Sequence, residues 1–233
     1  MLTPYLITIG LFILMLLAIA ISFGGKSRSK NGDDTGRYNL FSPGDSGEYA
    51  VARQLRRLSD EYMVLNDLLL RSGNGHTTQI DHVVVSPFGI FVIETKNISG
   101  QIYGNTNAQQ WKRYLHTWWY GVHRTHHLEF NNPILQNKAH IVVLARTLSH
   151  FEHARLVSVI AFSPKAELKI YGDTTNIIYW SDVRRFIRQY KTPIMTSDEA
   201  NCIYNYLREI NIKGEQARDA HAERVSMLND RQH

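Results

Sequence analysis

The chain has 233 residues, 26 Lys and Arg against 21 Asp and Glu, and a single cysteine. One cysteine excludes an intramolecular disulfide, and the sequence contains no internal repeat and no long low-complexity tract. A disulfide scaffold and a repeat array are therefore excluded. The formal net charge of +5 favours anionic partners, and nucleic acid and acidic lipid headgroups satisfy it equally.

The amino-terminal segment is almost wholly apolar from residue 3 to residue 23, and the first charged side chain is Lys26. At about 1.5 Å per residue, ~20 helical residues cross the roughly 30 Å hydrocarbon core of a bilayer. The sequence therefore predicts a transmembrane anchor at residues 1–24. A cleaved signal peptide is the alternative: Ala18 and Ala20 form a small-x-small cleavage pattern, although no Lys or Arg precedes the apolar run.

Three cations, Lys26, Arg28 and Lys30, follow the apolar segment, and none precedes it. The positive-inside rule places this flank in the cytoplasm. We therefore expect a single-pass protein of the inner or plasma membrane whose remaining domain faces the cytosol. The single Cys202 agrees with a reducing compartment, and its helical pattern predicts a buried apolar position.

The rest of the chain divides by composition into a linker, one domain and a tail. Residues 25–44 are rich in Gly, Ser, Asn and Asp, which is typical of a flexible linker. Mixed helix and strand patterns occupy residues 45–150 and continue through residues 151–211, a length that suits one compact α/β domain. Residues 212–233 are polar with mixed charge and predict an exposed helix or a disordered tail.

The first helix of this domain is predicted from about residue 47 to residue 58, with Val51 and Leu55 on one face. Glu48 lies on the same stripe, which aims a carboxylate toward the core. The alternative is a structural role, because Asp45 as N-cap with Glu48 three residues later forms a capping box.

A β-hairpin is predicted around residues 86–89, where Ser, Pro, Phe and Gly fit a type I turn. Strands that leave this turn symmetrically pair Val85 with Ile90 and Val83 with Val92. Both strands are apolar on both faces, which is typical of the covered centre of a sheet. A bulge at the glycine of the turn would shift this register by one residue.

The same register places Asp81 opposite Glu94, with Lys96 two residues farther along on the same face. Opposed carboxylates repel unless a cation lies between them or one is protonated. A bound metal ion is the simplest resolution. Acid-x-Lys tripeptides are nevertheless common, and charges at strand ends also occur without function.

A second helix is predicted to open with Asn132 as N-cap and Pro133 at the first helical position, and to run to about residue 149. Gln136 and His140 share one stripe of this helix. The side chain of Gln136 either points to the end of the sheet or is an exposed amide. Later elements are a buried strand in LVSVIAFSP, a short strand near 177–180, a helix N-capped by Ser181 and a helix that begins at Thr196.

Between the hairpin and the second helix lies a segment in which aromatic residues alternate with cations. We expect Lys112, Arg113, Trp118 and Trp119 to contact substrate, because aromatic rings beside cations suit stacking on unpaired bases. The alternative is a hydrophobic satellite under a long loop. The histidines of this segment match no zinc-binding spacing.

An Asp, twelve residues and then Glu-x-Lys across a hairpin resembles the core of the PD-(D/E)xK nucleases, and the wider pattern is similar to the nuclease-related domain (NERD) over roughly residues 45–150. The pieces that carry the resemblance are Gly47-Glu48, YMVLND at 62–67, QIDH at 79–82, GIFVIETKN at 89–97, GQIYG at 100–104, Trp111, and Asn132-Pro133 followed by Gln136-Asn137. The resemblance implies a restriction-endonuclease-like αβββαβ core with a mixed central sheet and a metal-dependent nuclease ancestry.

By this resemblance, Asp81 and Glu94 bind Mg²⁺ or Mn²⁺, Lys96 orients water or stabilises charge on the phosphate, and Glu48 and Gln136 support the same region. The expected function is hydrolysis of phosphodiester bonds in nucleic acid, DNA rather than RNA, by a membrane-anchored protein. A binding or scaffold protein that keeps the fold without catalysis is the alternative.

Overall fold

The computed structural model describes residues 43–72, 76–120, 122–213, 219–221 and 223. The predicted anchor at residues 1–24 and nearly all of the predicted linker lie outside the described residues. Among the helices that are described, none combines the length and apolarity needed to cross a membrane.

The described chain includes four α-helices between residues 43 and 210 and nine strands. In chain order they are α1 (Pro43–Leu55), β1 (Met63–Arg71), β2 (Thr77–Ser86), β3 (Gly89–Lys96), β4 (Gly100–Asn105), β5 (Gln110–Trp119), β6 (Val122–Asn131), α2 (Pro133–Thr147), β7 (Leu156–Phe162), β8 (Ala166–Tyr171), β9 (Ile177–Tyr179), α3 (Val183–Ile187) and α4 (Ser197–Ile210). The predicted α/β class is confirmed.

The first sheet has the strand order β1-β2-β3-β7-β9. Its first three strands form an antiparallel meander, whereas β7 lies parallel to β3 and β9 parallel to β7. The chain reaches β7 through α2, as parallel neighbours require a crossover connection. The sheet is therefore mixed, as predicted.

The register of the β2–β3 hairpin is the predicted one. Val85 pairs with Ile90 and Val83 with Val92, so no bulge displaces the strands at Gly89. The turn is closed by the hydroxyl of Ser86, which donates to the Gly89 carbonyl at 3.0 Å. Alternation along the strands then determines which side chains share a face.

Helices cover both faces of this sheet. Val83 and Val92 pack on one face against α2 and α4, and Val84 and Phe91 pack on the other face against α1 and α3. The predicted buried strands are thus confirmed. Because the centre of the sheet is sealed on both sides, polar side chains can function only near the strand ends.

The aromatic and basic segment that precedes α2 is not the long loop of the hydrophobic-satellite alternative. It forms the β5–β6 hairpin of a second sheet with the strand order β6-β5-β4-β8. The fully buried Trp111 stacks on Phe162 of β7, with ring centroids 6.2 Å apart and an interplanar angle of 8°. A side chain at Gly104 would collide with the Trp111 ring, so glycine permits this close packing.

The carboxyl-terminal part of the domain confirms one predicted helix cap and contradicts a second cap and the predicted burial of Cys202. The hydroxyl of Thr196 caps α4 by accepting from the Glu199 amide at 3.1 Å, as predicted. Ser181 is not a helix cap, because it lies inside a 3₁₀ turn at Trp180–Asp182 that precedes α3. Cys202 is exposed rather than buried, since the buried stripe of α4 runs through Ile203 and the helix turns about 100° per residue.

The two ends of the domain also differ from expectation. Helix α1 begins at Pro43, so Asp45 lies inside the helix and is not its N-cap. Only part of the predicted tail at 212–233 is described, and that part contacts the first sheet. The Ile212 amide donates to the Leu69 carbonyl at 3.0 Å, and His221 Nδ1 lies 2.9 Å from Thr77 Oγ1.

Candidate active site

A cluster of polar side chains lies where the carboxyl-terminal end of β3 and the middle of β2 meet α2. Glu94 is 2% exposed, and Lys96 Nζ donates to its Oε1 at 2.7 Å. The same ammonium donates to Gln136 Oε1 at 2.9 Å. The alternation of β3 and the first turns of α2 therefore bring three of the predicted residues into direct contact.

His140 completes the contacts of the buried carboxylate. It lies one turn after Gln136 on α2, and its Nε2 is 3.3 Å from Glu94 Oε2. Both atoms are buried. The other ring nitrogen shares a 2.8 Å hydrogen bond with Thr78 Oγ1, which orients the imidazole. Sequence reasoning placed this histidine on the stripe of Gln136 but gave it no role.

Asp81 lies one position beyond the last pair of the β2–β3 ladder, on the face of Glu94. Its Oδ2 accepts a 2.7 Å hydrogen bond from the Thr95 amide. Burial, followed by the negative charges of Glu94 and Glu48, raises the pKa of Asp81 well above its usual value. Ionisation of this carboxyl is therefore unfavourable unless positive charge is added beside it.

The pKa of Glu94 shifts in the opposite direction. Burial alone would raise the pKa of its carboxyl, but the Lys96 ammonium and His140 outweigh burial and lower the pKa below the usual value. The two carboxyls therefore differ by environment: the lowered pKa of Glu94 favours its ionised form, and the raised pKa of Asp81 favours its protonated form.

The amino-terminal part of α1 brings Glu48 to the same place. A side chain at Gly47 would approach Cβ of Asn97 to 2.6 Å, so glycine lets the helix lie directly on the end of β3. Asn97 Nδ2 donates to Ser46 Oγ at 2.7 Å and fastens this contact. Glu48 is half-buried there, and its charge contributes to the raised pKa of Asp81.

The donor set at this cluster fits a hard divalent cation. Carboxylate oxygens are the ligands that Mg²⁺ and Mn²⁺ prefer, and Mg²⁺ is usually held by one or two protein carboxylates together with water and substrate phosphates. Asp81 and Glu94 supply two carboxylates, and Glu94 Oε2 is buried with His140 Nε2 3.3 Å away. In the part of the chain that is described, no group of three or more His, Cys, Asp or Glu side chains forms a complete metal cage.

The predicted substrate-binding residues lie on the second sheet rather than in this cluster. Trp118 is 72% exposed, and the side chain of Trp119 lies outside what is described. Lys112 pairs with Glu129 at 3.5 Å on the surface. Arg113 has a structural position, because Nε and Nη2 donate to the carbonyl and hydroxyl of Ser99 at 2.7 and 2.9 Å.

A second buried histidine, His82, lies next to Asp81 on β2 but belongs to the opposite face. Its Nδ1 donates to Asn66 Oδ1 at 2.8 Å. Burial lowers the pKa of His82 to about 3, against a smaller opposing effect of the Glu94 charge. This imidazole is therefore neutral throughout the physiological range.

Comparison with known proteins identifies the family of this region. The sequence profile of the nuclease-related domain matches residues 43–163. An uncharacterized protein of Bacillus anthracis is 34% identical over 173 residues, which cover 72% of this chain and 77% of that protein. No solved structure matches the chain at a significant level.

Proposed function

Because this chain belongs to the nuclease-related domain family, we propose that it hydrolyses phosphodiester bonds of nucleic acid with the help of a divalent cation. The observation that carries the proposal is the contact set of Lys96, whose ammonium is held by Glu94 and Gln136 beside the half-buried Asp81. Two carboxylates and a lysine in one cluster provide the charges that phosphodiester hydrolysis requires.

Asp81 and Glu94 are the proposed ligands of the cation, with Glu48 close enough to add negative charge. When bound, a Mg²⁺ or Mn²⁺ ion would polarise the phosphate and lower the pKa of a bound water. The raised pKa of Asp81 supports this assignment, because its causes include the neighbouring acids Glu94 and Glu48 and added positive charge would relieve that repulsion.

Lys96 is the proposed catalytic cation. Its side chain is 20% exposed, and Glu94 and Gln136 fix the position of its ammonium. From there it stabilises negative charge that develops on the phosphate or orients the attacking water. Gln136 is a positioning residue, since it holds Lys96 through a single 2.9 Å hydrogen bond.

His140 is a second positioning residue in this proposal. Its ring is oriented by Thr78 and lies against the Glu94 oxygen that Lys96 does not use. It thereby limits rotation of the Glu94 carboxylate, which determines where that oxygen points.

Lys96→Ala tests the catalytic role. We expect cleavage to fall by about 10²–10³-fold, the usual effect of removing one charge-stabilising donor, while calorimetric titration still detects Mn²⁺ binding. Lys138→Ala is the matched control, because Lys138 is exposed on α2 two residues after Gln136. The assay uses single- and double-stranded DNA and RNA with Mg²⁺, Mn²⁺ or chelator.

The result also separates the two classes of function. Cleavage that requires a divalent ion and Lys96 supports a nuclease, with DNA as the expected substrate. Binding of nucleic acid without any cleavage under these conditions would instead establish a non-catalytic binding protein of the same family.

Membrane attachment is a separate part of the proposal. It is supported by the apolar run at residues 3–23 and by the one-sided cations that follow it. We expect the full chain to fractionate with membranes and its domain to be accessible from the cytosol. Recovery of a mature protein that begins at residue 21 in a periplasmic or secreted fraction would show a cleaved signal peptide instead.

A further inference from the structure

The second sheet carries six ring side chains on one of its faces. Strand pairing places Tyr114 opposite His127 and Trp118 opposite His123. Because side chains alternate between the faces of a strand, His116 lies on the same face of β5, between Tyr114 and Trp118. Tyr103 of β4 lies diagonally next to Tyr114. We call this surface the ring face; it consists of Tyr103, Tyr114, His116, Trp118, His123 and His127.

These rings contact one another across the strands. Tyr103 and Tyr114 meet edge to face with centroids 5.4 Å apart, and Tyr114 lies 6.1 Å from His127. Toward the hairpin turn, His116 stacks on His123 at 5.3 Å with an angle of 18°, and Trp118 lies 5.3 Å from the same His123. The rings therefore form a patterned surface and not isolated exposed side chains.

The opposite face of the sheet is the one that the fold uses for its core. Ile102 and Trp111 are fully buried there with Phe130 packed against them. On the ring face, by contrast, Trp118, His116, His123 and His127 are exposed. Aromatic rings that are not needed for the core and remain in solvent indicate a binding surface.

Charged pairs border the ring face and restrict what can bind to it. Lys112 pairs with Glu129 at 3.5 Å and Lys169 with Glu167 at 3.1 Å. Lys169 also donates to the Tyr103 hydroxyl at 3.1 Å. An apolar helix or an acyl chain laid on this face would bury these four charges at high cost, whereas exposed pairs can exchange partners with phosphates at little cost.

We propose that the ring face binds single-stranded nucleic acid by stacking unpaired bases on its rings, with Lys112 and Lys169 next to the phosphates. One part of this inference rests on the proposed function, namely that the bound strand is also the substrate of cleavage. Every base offers a flat π surface, so this mode of binding tolerates any sequence. A duplex presents only base edges in its grooves and cannot stack on the rings, so the surface selects unpaired strands.

The test is fluorescence anisotropy of a labelled oligothymidylate with the full chain in detergent micelles. Chelator is present throughout, so that binding is measured without cleavage. We expect the single strand to bind at least tenfold more tightly than a duplex of the same length. Trp118→Ala should weaken this binding by about 5- to 150-fold, the range for loss of one stacked base, and His123→Ala should weaken it as well.

Leu128→Ala is the matched control, because Leu128 is 55% exposed on β6 next to His127 but belongs to the other face. It should bind as the wild type does. Equal affinity for the duplex, or wild-type affinity in both Trp118→Ala and His123→Ala, would overturn the proposal. A protein that binds through the ring face but never cleaves would refute the nuclease function and leave this inference intact.

Discussion

Glu94 and Trp118 lie on different sheets of one domain and in opposite environments. Glu94 is 2% exposed, and its oxygens lie next to Lys96 and His140. Trp118 is 72% exposed and contacts His123 of the neighbouring strand. A buried ion depends on every partner, because each lost contact leaves charge without compensation. An exposed ring contributes little to the fold and is free to serve a ligand.

The two regions also respond differently to charge. In the carboxylate cluster, burial and then the charges of Glu94 and Glu48 raise the pKa of Asp81, whereas Lys96 and His140 outweigh burial and lower the pKa of Glu94. At the edge of the ring face, Lys112 and Glu129 are exposed and largely screened by water. The contrast predicts that substitutions in the cluster change stability, whereas substitutions on the ring face change only binding.

The largest expected loss of stability follows from Glu94→Gln. Removing the charge leaves Lys96 without its counter-ion in a mostly buried position, which costs about 3 kcal/mol of unfolding free energy. Urea denaturation of the purified protein measures it. A loss below about 0.5 kcal/mol would show that the Lys96–Glu94 pair does not hold the cluster together.

Acidification is expected to destabilise the fold through His82. Its folded-state pKa of about 3 is below the unfolded value of about 6.5. Neutral His82 therefore makes its full contribution to the free energy of unfolding above pH 6.5, and this contribution is lost as the pH falls toward 3. Between pH 6.5 and pH 4.5 the loss is on the order of 2 kcal/mol, because the unfolded state alone binds the proton over most of this range.

Urea denaturation at pH 7.0 and pH 4.5 tests this contribution. In His82→Gln, the free energy of unfolding should depend less on pH than it does in the wild type. His123→Gln is the control, because this imidazole is exposed on the ring face. It should unfold with the same pH dependence as the wild type. Equal slopes in the wild type and His82→Gln would contradict the prediction.

Asp81→Asn is expected to act in the opposite direction. Because the folded-state pKa of Asp81 is raised, ionised Asp81 destabilises the fold increasingly as the pH rises from the unfolded pKa through the folded one. Without divalent ions, the amide should therefore raise the melting temperature at pH 7, while its oxygen still accepts from the Thr95 amide.

The same variant reports on the cation. Mg²⁺ or Mn²⁺ should raise the melting temperature of the wild type, since a ligand of the folded state stabilises it by mass action. This response should disappear in Asp81→Asn. An undiminished response in both Asp81→Asn and Glu94→Gln would place the ion elsewhere.

The smallest effect is expected for Trp118→Ala. The ring lies in solvent and contributes little buried area, so unfolding free energy should change by less than about 0.5 kcal/mol. Thermal denaturation beside the binding assay checks it. A loss of several kcal/mol would show that the ring face is part of the core, as the hydrophobic-satellite alternative requires.

Much of the local structure of the cluster follows from neighbouring residues in the chain. The 86–89 turn determines the pairing of Val85 with Ile90 and hence the positions of Asp81 and Glu94. Asn132 caps α2 by accepting from the Ile134 amide at 2.9 Å. Such features are predictable because the interacting groups are only a few residues apart.

Contacts between distant segments were not predictable in this way. His140 meets Glu94 across 46 residues, and their contact depends on how α2 docks on the end of β3. The exposure of Cys202 depends on which stripe of α4 faces the first sheet. Helical periodicity gives the stripes, but packing against a neighbour selects among them.

The sequence by itself determined the register of the β2–β3 hairpin, the caps of α2 and α4 and the closeness of two acids and a lysine, since all of these rest on interactions of short range. Only the tertiary structure decided that Gln110–Trp119 and Val122–Asn131 pair as a hairpin, with Trp111 turned into the core and Trp118 into solvent. That choice required Phe162, 51 residues from Trp111 along the chain, to supply the surface on which one face of the hairpin packs.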